Sequence, residues 1–184
     1  MSATAISLFM ATAFYAAFFG MRNQFAQQDN YYMNNRGVRF ALDRMARDAE
    51  EALCVTYTWG ADTRANNVLI LKLPSINASN EPSNISTQFD YVTYKLSGTN
   101  LTRTLDVQNS STREGGADIS GKVIAKNVST LLFSYNGTAL STYSSSTITA
   151  LKKINASITS QGTVRGKTQT TQSDADLMLR NNIT

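Results

Sequence analysis

The sequence predicts an α+β fold in which a long N-terminal α-helix packs on an antiparallel β-sheet head. Two observations carry this. The first 53 residues contain no proline and only two glycines, so nothing in them forces a helix to stop. After Leu53 the apolar spacing changes from three-and-four to two, and Gly, Asn and Ser clusters separate the apolar runs. The 184 residues therefore divide into a helix over 1–53 and a head over 54–184, the head being long enough for one modest core.

The helix itself has two halves. Residues 1–21, MSATAISLFMATAFYAAFFGM, carry no charge. At 1.5 Å per residue the whole helix would be about 80 Å long, and its first ~30 Å match the thickness of a bilayer core. Ala3, Ala5, Ala11, Ala13, Ala16, Ala17 and Gly20 alternate with Phe9, Phe14, Phe18 and Phe19, small residues that admit a neighbouring helix and rings that fill the gaps. A cleaved secretory signal would need a basic region before this run, and none is present. Arg22 borders the segment, and by the positive-inside rule it would place the C-terminal side in the cytoplasm, in conflict with the sequon-rich remainder; a basic leader upstream of Met1 would resolve the conflict.

In the second half, residues 22–53, the apolar positions Val38, Leu42, Met45, Ala49 and Leu53 form one stripe on a 3.6-residue helix, expected to lie on the head. Arg39, Asp43, Arg44, Arg47, Asp48, Glu50 and Glu51 fall on the opposite face. Arg39/Asp43, Asp43/Arg47, Arg44/Asp48 and Arg47/Glu51 are spaced for ion pairs worth about 0.2–0.5 kcal/mol each. These charges read equally well as a solvated face or as a device setting register between packed helices. Gly20 and Gly37 each cost about 1 kcal/mol against alanine, and the Asn- and Gln-rich stretch between them has poor periodicity. Any interruption of the helix is expected there.

Composition excludes several chemistries. Histidine is absent and Cys54 is the only cysteine, which removes histidine-based triads, His/Cys zinc sites and an intramolecular disulfide. Cys54, between Leu53 and Val55, reads as a buried apolar thiol. No phosphate-binding glycine loop or nucleophile elbow occurs, and Asp174 with Asp176 lack the further ligands of a calcium loop, so neither an enzyme nor a cofactor or metal is expected. The net charge of +4 is spread without a run of four basic residues, which argues against a nucleic-acid partner. Eight N-x-S/T sequons, at Asn77, Asn84, Asn100, Asn109, Asn127, Asn136, Asn155 and Asn182, are candidate glycosylation sites.

Within the head, residues 68–73 (VLILKL) read as a buried strand. Residues 89–96 (FDYVTYKL) read as a strand with Phe89, Tyr91, Thr93 and Lys95 on one face, followed by an SGTN turn and a hairpin partner at 101–107. Residues 122–137 offer a further pair of short strands, 148–160 alternate with Ile148, Ala150, Ile154, Ala156 and Ile158 on one face, and 176–181 (DLMLRN) give a last strand. The segments NASNEPSNIS and NSSTREGGADISG read as loops without core character.

Taken in order, the charge-free start, RFALDRMARDAEEA, the YVTYKLSGTNLTRT hairpin, NVSTLLFSY and the closing DLMLRN resemble the type IV pilin superfamily, most of all its W-type minor pilins and the J-type pseudopilins of type II secretion. The resemblance implies a ladle shape, with the helix as handle. It implies a subunit that waits in the inner membrane and is polymerised by pilus or secretion assembly machinery into a homo-oligomeric extracellular filament. Phe9, Phe14, Phe18, Phe19 and Arg22 would then line the assembly interface. One position departs from the pattern. Family members begin with an N-methylated residue, usually Phe, and carry a glutamate shortly after it, where Ala5 stands if Met1 is the mature start. Either the glutamate is lacking or the sequence starts several residues late; the distance to RFALDRMARD favours the late start. The expected function is thus a structural filament subunit, the alternatives being a minor pilin or pseudopilin, or a membrane-anchored surface-binding module using Trp59, Tyr57 and the basic residues Lys152, Lys153, Arg165 and Lys167.

Overall fold

The computed structural model describes residues 2–79, 81–82, 88–108, 110–164 and 166–180, with the side chains of Ser2, Ala3 and Val164 left outside the description. Helix α1 runs unbroken over Ser2–Glu51, 50 residues or about 75 Å. The segment between Gly20 and Gly37, where any interruption was expected, is continuous helix. Two glycines cost about 2 kcal/mol together, whereas breaking a helix forfeits several backbone hydrogen bonds and requires a second nucleus. The helix stops where Ala52 folds back on Ala49 and the Arg180 amide takes up the Ala52 carbonyl (3.2 Å).

The strands that follow are β1 (Cys54–Val55), β2 (Thr58–Trp59), β3 (Asp62–Thr63), β4 (Val68–Pro74), β5 (Phe89–Ser97), β6 (Asn100–Asp106), β7 (Ile119–Ala125), β8 (Val128–Tyr135), β9 (Thr138–Ala139), β10 (Lys153–Val164) and β11 (Lys167–Met178), with a short helix α2 (Ser145–Thr149) before β10. They form two antiparallel sheets, ordered β1-β4-β5-β6-β7 and β11-β10-β8-β9, and a two-stranded β2-β3 ribbon. The β5–β6 hairpin turns at Gly98–Thr99 with Ser97 opposite Asn100, and Gly98 supplies the positive φ of 61° that this tight turn needs.

Three sequence expectations are corrected. The strands in 122–137 are present but belong to different sheets, β7 pairing with β6 and β8 with β10, because the chain changes sheet at Lys126–Asn127. Residues 148–152 are not strand: Ile148 is buried from α2 and Ala150 is exposed, since Ser144 caps Thr147 and starts a helical turn. The last strand is far longer than 176–181 and spans Lys167–Met178, paired residue for residue with β10. Its polar run QTTQSD faces solvent on an outer strand, so it carries little apolar alternation.

One core joins helix and sheets. Val38, Ala41, Leu42, Met45, Ala49 and Ala52 of α1 meet Leu69, Leu71, Leu73, Val92, Tyr94, Leu101 and Leu105 of the first sheet and Leu131, Phe133, Ile154, Ala156, Ile158 and Leu177 of the second. Each fully buried large side chain contributes about 1.5–3 kcal/mol. Ala52 occupies the place expected of Leu53, which lies past the helix end and is half-buried. Helix α1 rests mainly on the β10–β11 hairpin and also meets β7 and β4, so the stripe bridges two sheets rather than covering one.

Candidate assembly surface

The first half of α1 extends beyond the head. From Thr4 to Phe18 every side chain is exposed, including Phe9 at 75%, Phe14 at 73% and Phe18 at 64%. Phe14 and Phe18, four residues apart, share a face, whereas Phe9 lies about 140° round the helix from Phe14 and Phe19 turns toward Tyr15, ring centroids 4.3 Å apart. The five predicted interface residues are therefore distributed around the rod and do not converge on one spot. Phe9, Met10, Ala13, Phe14 and Ala17 line a shallow apolar groove of about 260 Å³. Arg22 closes this segment, exposed and without an ion-pair partner among the described residues. The helix is long and apolar enough to cross a membrane.

Farther along, α1 is fastened to the head in three places. Asn34 accepts a hydrogen bond from Asn127 (3.1 Å), and its amide nitrogen sits 2.5 Å from where a Cβ on Gly162 would stand. Gly37 lies against Ala125. Two buried arginines then clasp the last turns. Arg103 of β6 donates to Asp48 (Nε–Oδ2 2.6 Å) and to Glu114 (Nη2–Oε1 2.9 Å), Tyr94 donates its hydroxyl to Asp48 (2.5 Å), and Arg44 also reaches Glu114. Arg113, in the 3₁₀ turn Arg113–Gly115, donates to Asp90 (3.0 Å), to the Pro74 carbonyl (2.9 Å) and to Glu51. Asp90 is further held by Ser75, Ser111 and the Gln108 amide.

These clasps correct two readings. Asp48 is not part of a solvated face, because the turn of the helix that seats Met45 and Ala49 also carries it inward to Arg103. The segment NSSTREGGADISG is not devoid of core character: Ser111 and Arg113 are buried and Ile119 opens β7. Of the four i, i+4 pairs, Arg44–Asp48 alone forms, at 3.5 Å, since Glu51 turns to Arg113 instead of Arg47. Burial, and after it the Asp48 carboxylate, push the Tyr94 hydroxyl far above its ordinary range. Burial opposes the charge on Arg103, but the bond to Asp48 and its negative charge outweigh it and hold Arg103 protonated. Cys54 is buried as expected, and burial raises its thiol above the usual value, with nearby Lys72 acting weakly the other way.

The remaining candidates are dispersed. Trp59 stacks flat on Tyr91 (centroids 3.4 Å apart) and donates to Asp106, whereas Lys152, Lys153 and Lys167 belong to the β10–β11 hairpin and its approach in the other sheet. Lys153 is paired with Asp176, which lowers that carboxyl, and Arg165 lies outside the described residues. Among the sequons, Asn84, Asn109 and Asn182 lie outside the described residues. The side-chain nitrogens of Asn127 and Asn155 are engaged by Asn34 and Asp176, the Asn77 oxygen caps its own turn, and Asn100 is half-buried beside the β5–β6 turn. Asn136, exposed at the β8–β9 turn with a φ of 48°, has a side-chain amide without a hydrogen-bond partner among the described residues. No cluster of three metal-ligating side chains occurs among the described residues. No known family model matches the chain, and no curated protein matches it.

Proposed function

We propose that this chain is a structural subunit of a type IV pilus-like extracellular filament, held in a membrane before assembly and joined to identical neighbours through the apolar half of α1. The observation that carries the reading is the contiguous exposed face of Thr4–Phe18, which no element of the head covers. An apolar surface of that extent needs a cover, and a bilayer followed by neighbouring helices supplies it in both states. The firm seating of α1 on the head, through Asp48–Arg103 and Glu51–Arg113, suits a part that must transmit force from a helical bundle to an outer surface.

The test is Phe14→Asp against Phe14→Leu as control. A charge in an apolar bundle costs several kcal/mol, so the aspartate variant yields stable membrane-bound protein without filaments and the leucine variant assembles. Normal filaments from Phe14→Asp would overturn the reading. A second reading, a membrane-anchored binding module, draws on the capacity of the same segment to cross a membrane alone. It predicts a head that stays monomeric at the cell surface with or without Phe14→Asp.

A further inference from the structure

We propose that neighbouring copies of α1 pack parallel along the side facing away from the head, staggered by one heptad, with an alternating acid–base ladder setting the register. This rests on the filament reading above. Phe18, Phe25 and Tyr32 follow one another at intervals of seven, and so do Arg22, Asp29, Arg36, Asp43 and Glu50. Interleaved, they read 18, 22, 25, 29, 32, 36, 39 and 43, with Arg39 continuing the first row. That alternation of four and three is the spacing of a seam between supercoiled helices. At 100° per residue Arg36 and Asp43 lie roughly 150° from Val38, so the seam runs opposite the buried stripe. Its members are exposed, Phe25 at 63% and Tyr32 at 68%, and none of the five ladder charges has an ion-pair partner among the described residues.

The signs choose the stagger. With no stagger each ladder charge would meet its own copy, like against like. Shifting one helix by seven residues, about 10.5 Å, sets Arg22 against Asp29, Asp29 against Arg36 and Arg36 against Asp43, all opposite. Asp43 then meets Glu50, but Arg47 stands within one turn of both. A shift of fourteen brings Arg22 to Arg36 and Asp29 to Asp43, like against like, and leaves Arg36 against Glu50 as its one opposite pair. The one-heptad shift also lays Phe18 on Phe25 and Phe25 on Tyr32. A groove of about 440 Å³ lined by Tyr32, Asn35, Arg36, Arg39, Phe40 and Asp43 then receives the neighbour's Phe25 and Asp29. An antiparallel pairing also satisfies the charges, but copies whose apolar halves share one membrane or one bundle point the same way.

Disulfide trapping in the Cys54→Ala background tests the register. In cells making Phe25→Cys and Tyr32→Cys copies together, mild oxidation yields about tenfold more dimer than in cells making either alone, as three exposed ion pairs would select. In the single-variant cells like residues sit about 10.5 Å apart, beyond disulfide reach. Adding Asp29→Arg to both copies turns two of the three opposite pairs into like pairs and removes the preference. Dimers from Phe25→Cys alone, mixed Phe25→Cys/Phe40→Cys dimers, or filaments without any trapped dimer would each overturn the stagger while leaving the filament reading intact. Trapped 25–32 dimers in cells without filaments would keep the stagger and strike the filament reading.

Discussion

Removing the charge of Asp48 measures how firmly the handle is fixed to the head. Asp48 and Arg103 have side chains 4% and 3% exposed, joined through two bonds of 2.6 and 3.3 Å, and Tyr94 adds a third to the same carboxylate. Asp48→Asn keeps the size of the side chain and an acceptor for Tyr94, but leaves Arg103 with only Glu114, itself 28% exposed, to balance its charge. Removing one partner of a buried ion pair costs about 3–5 kcal/mol, and the surviving contact to Glu114 puts the expected loss at the low end, about 3 kcal/mol. For a unit of this size that is a fall in melting temperature of about 6–12 °C. Trp59 fluorescence of the detergent-solubilised chain follows the transition, with Asp43→Asn, an exposed change on the same helix, expected within about 0.5 kcal/mol of the parent. A double-mutant cycle with Arg103→Met should return a coupling of about 1–3 kcal/mol. A loss below about 0.5 kcal/mol for Asp48→Asn, no larger than a surface change gives, would refute the buried clasp.

Other outcomes follow from the same geometry. Gly37→Ala places a methyl group 4.0 Å from Ala125, an ordinary contact, so helix propensity prevails and urea unfolding should show a gain of about 0.5–1 kcal/mol. Gly162→Ala instead drives a Cβ to 2.5 Å from the Asn34 amide, and hydrogen exchange should quicken around residues 30–37 as the Asn34–Asn127 bond is lost. Cys54 and Tyr94 both have raised folded-state values, so their contributions are complete below the ordinary 9.0 and 10.0 and are lost as pH climbs past them. Alkaline titration should therefore show stability falling above about pH 9, with Tyr94→Phe flattening the upper part of the fall, and native Cys54 should react slowly with thiol reagents at pH 8. Where the host glycosylates asparagine, intact mass and peptide mapping should find Asn136 modified before Asn127 or Asn155.

How much of this was legible in the sequence depended on whether a residue's partner was near in the chain. Helix α1, β4 and the β5–β6 hairpin were readable because their signals are local: an apolar period, a charge-free run, a Gly-containing turn between alternating strands. The roles of Asp48, Asp90 and Arg113 were not, since a buried ion pair between residues 55 or 23 positions apart leaves no mark on either neighbourhood. Strand β11 was legible only at its C-terminal end for a related reason, its outer face being polar and its burial set by β10 and α1 rather than by its own composition. The exposed aromatics Phe25 and Tyr32 carried no readable signal because the stretch from Arg22 to Asn35 has no apolar stripe. A seven-residue spacing that links Arg22 to Asp29 and Phe25 to Tyr32 nevertheless runs through it.

Electron microscopy of the native surface of cells producing the full chain addresses the filament proposal most directly. The expected image is a helical filament whose core is a bundle of α1 helices about 10 Å apart, successive copies rising by about one heptad and the β heads outside. Cells that carry the chain in the membrane as dispersed copies, with heads free and no ordered array of helices, would contradict it.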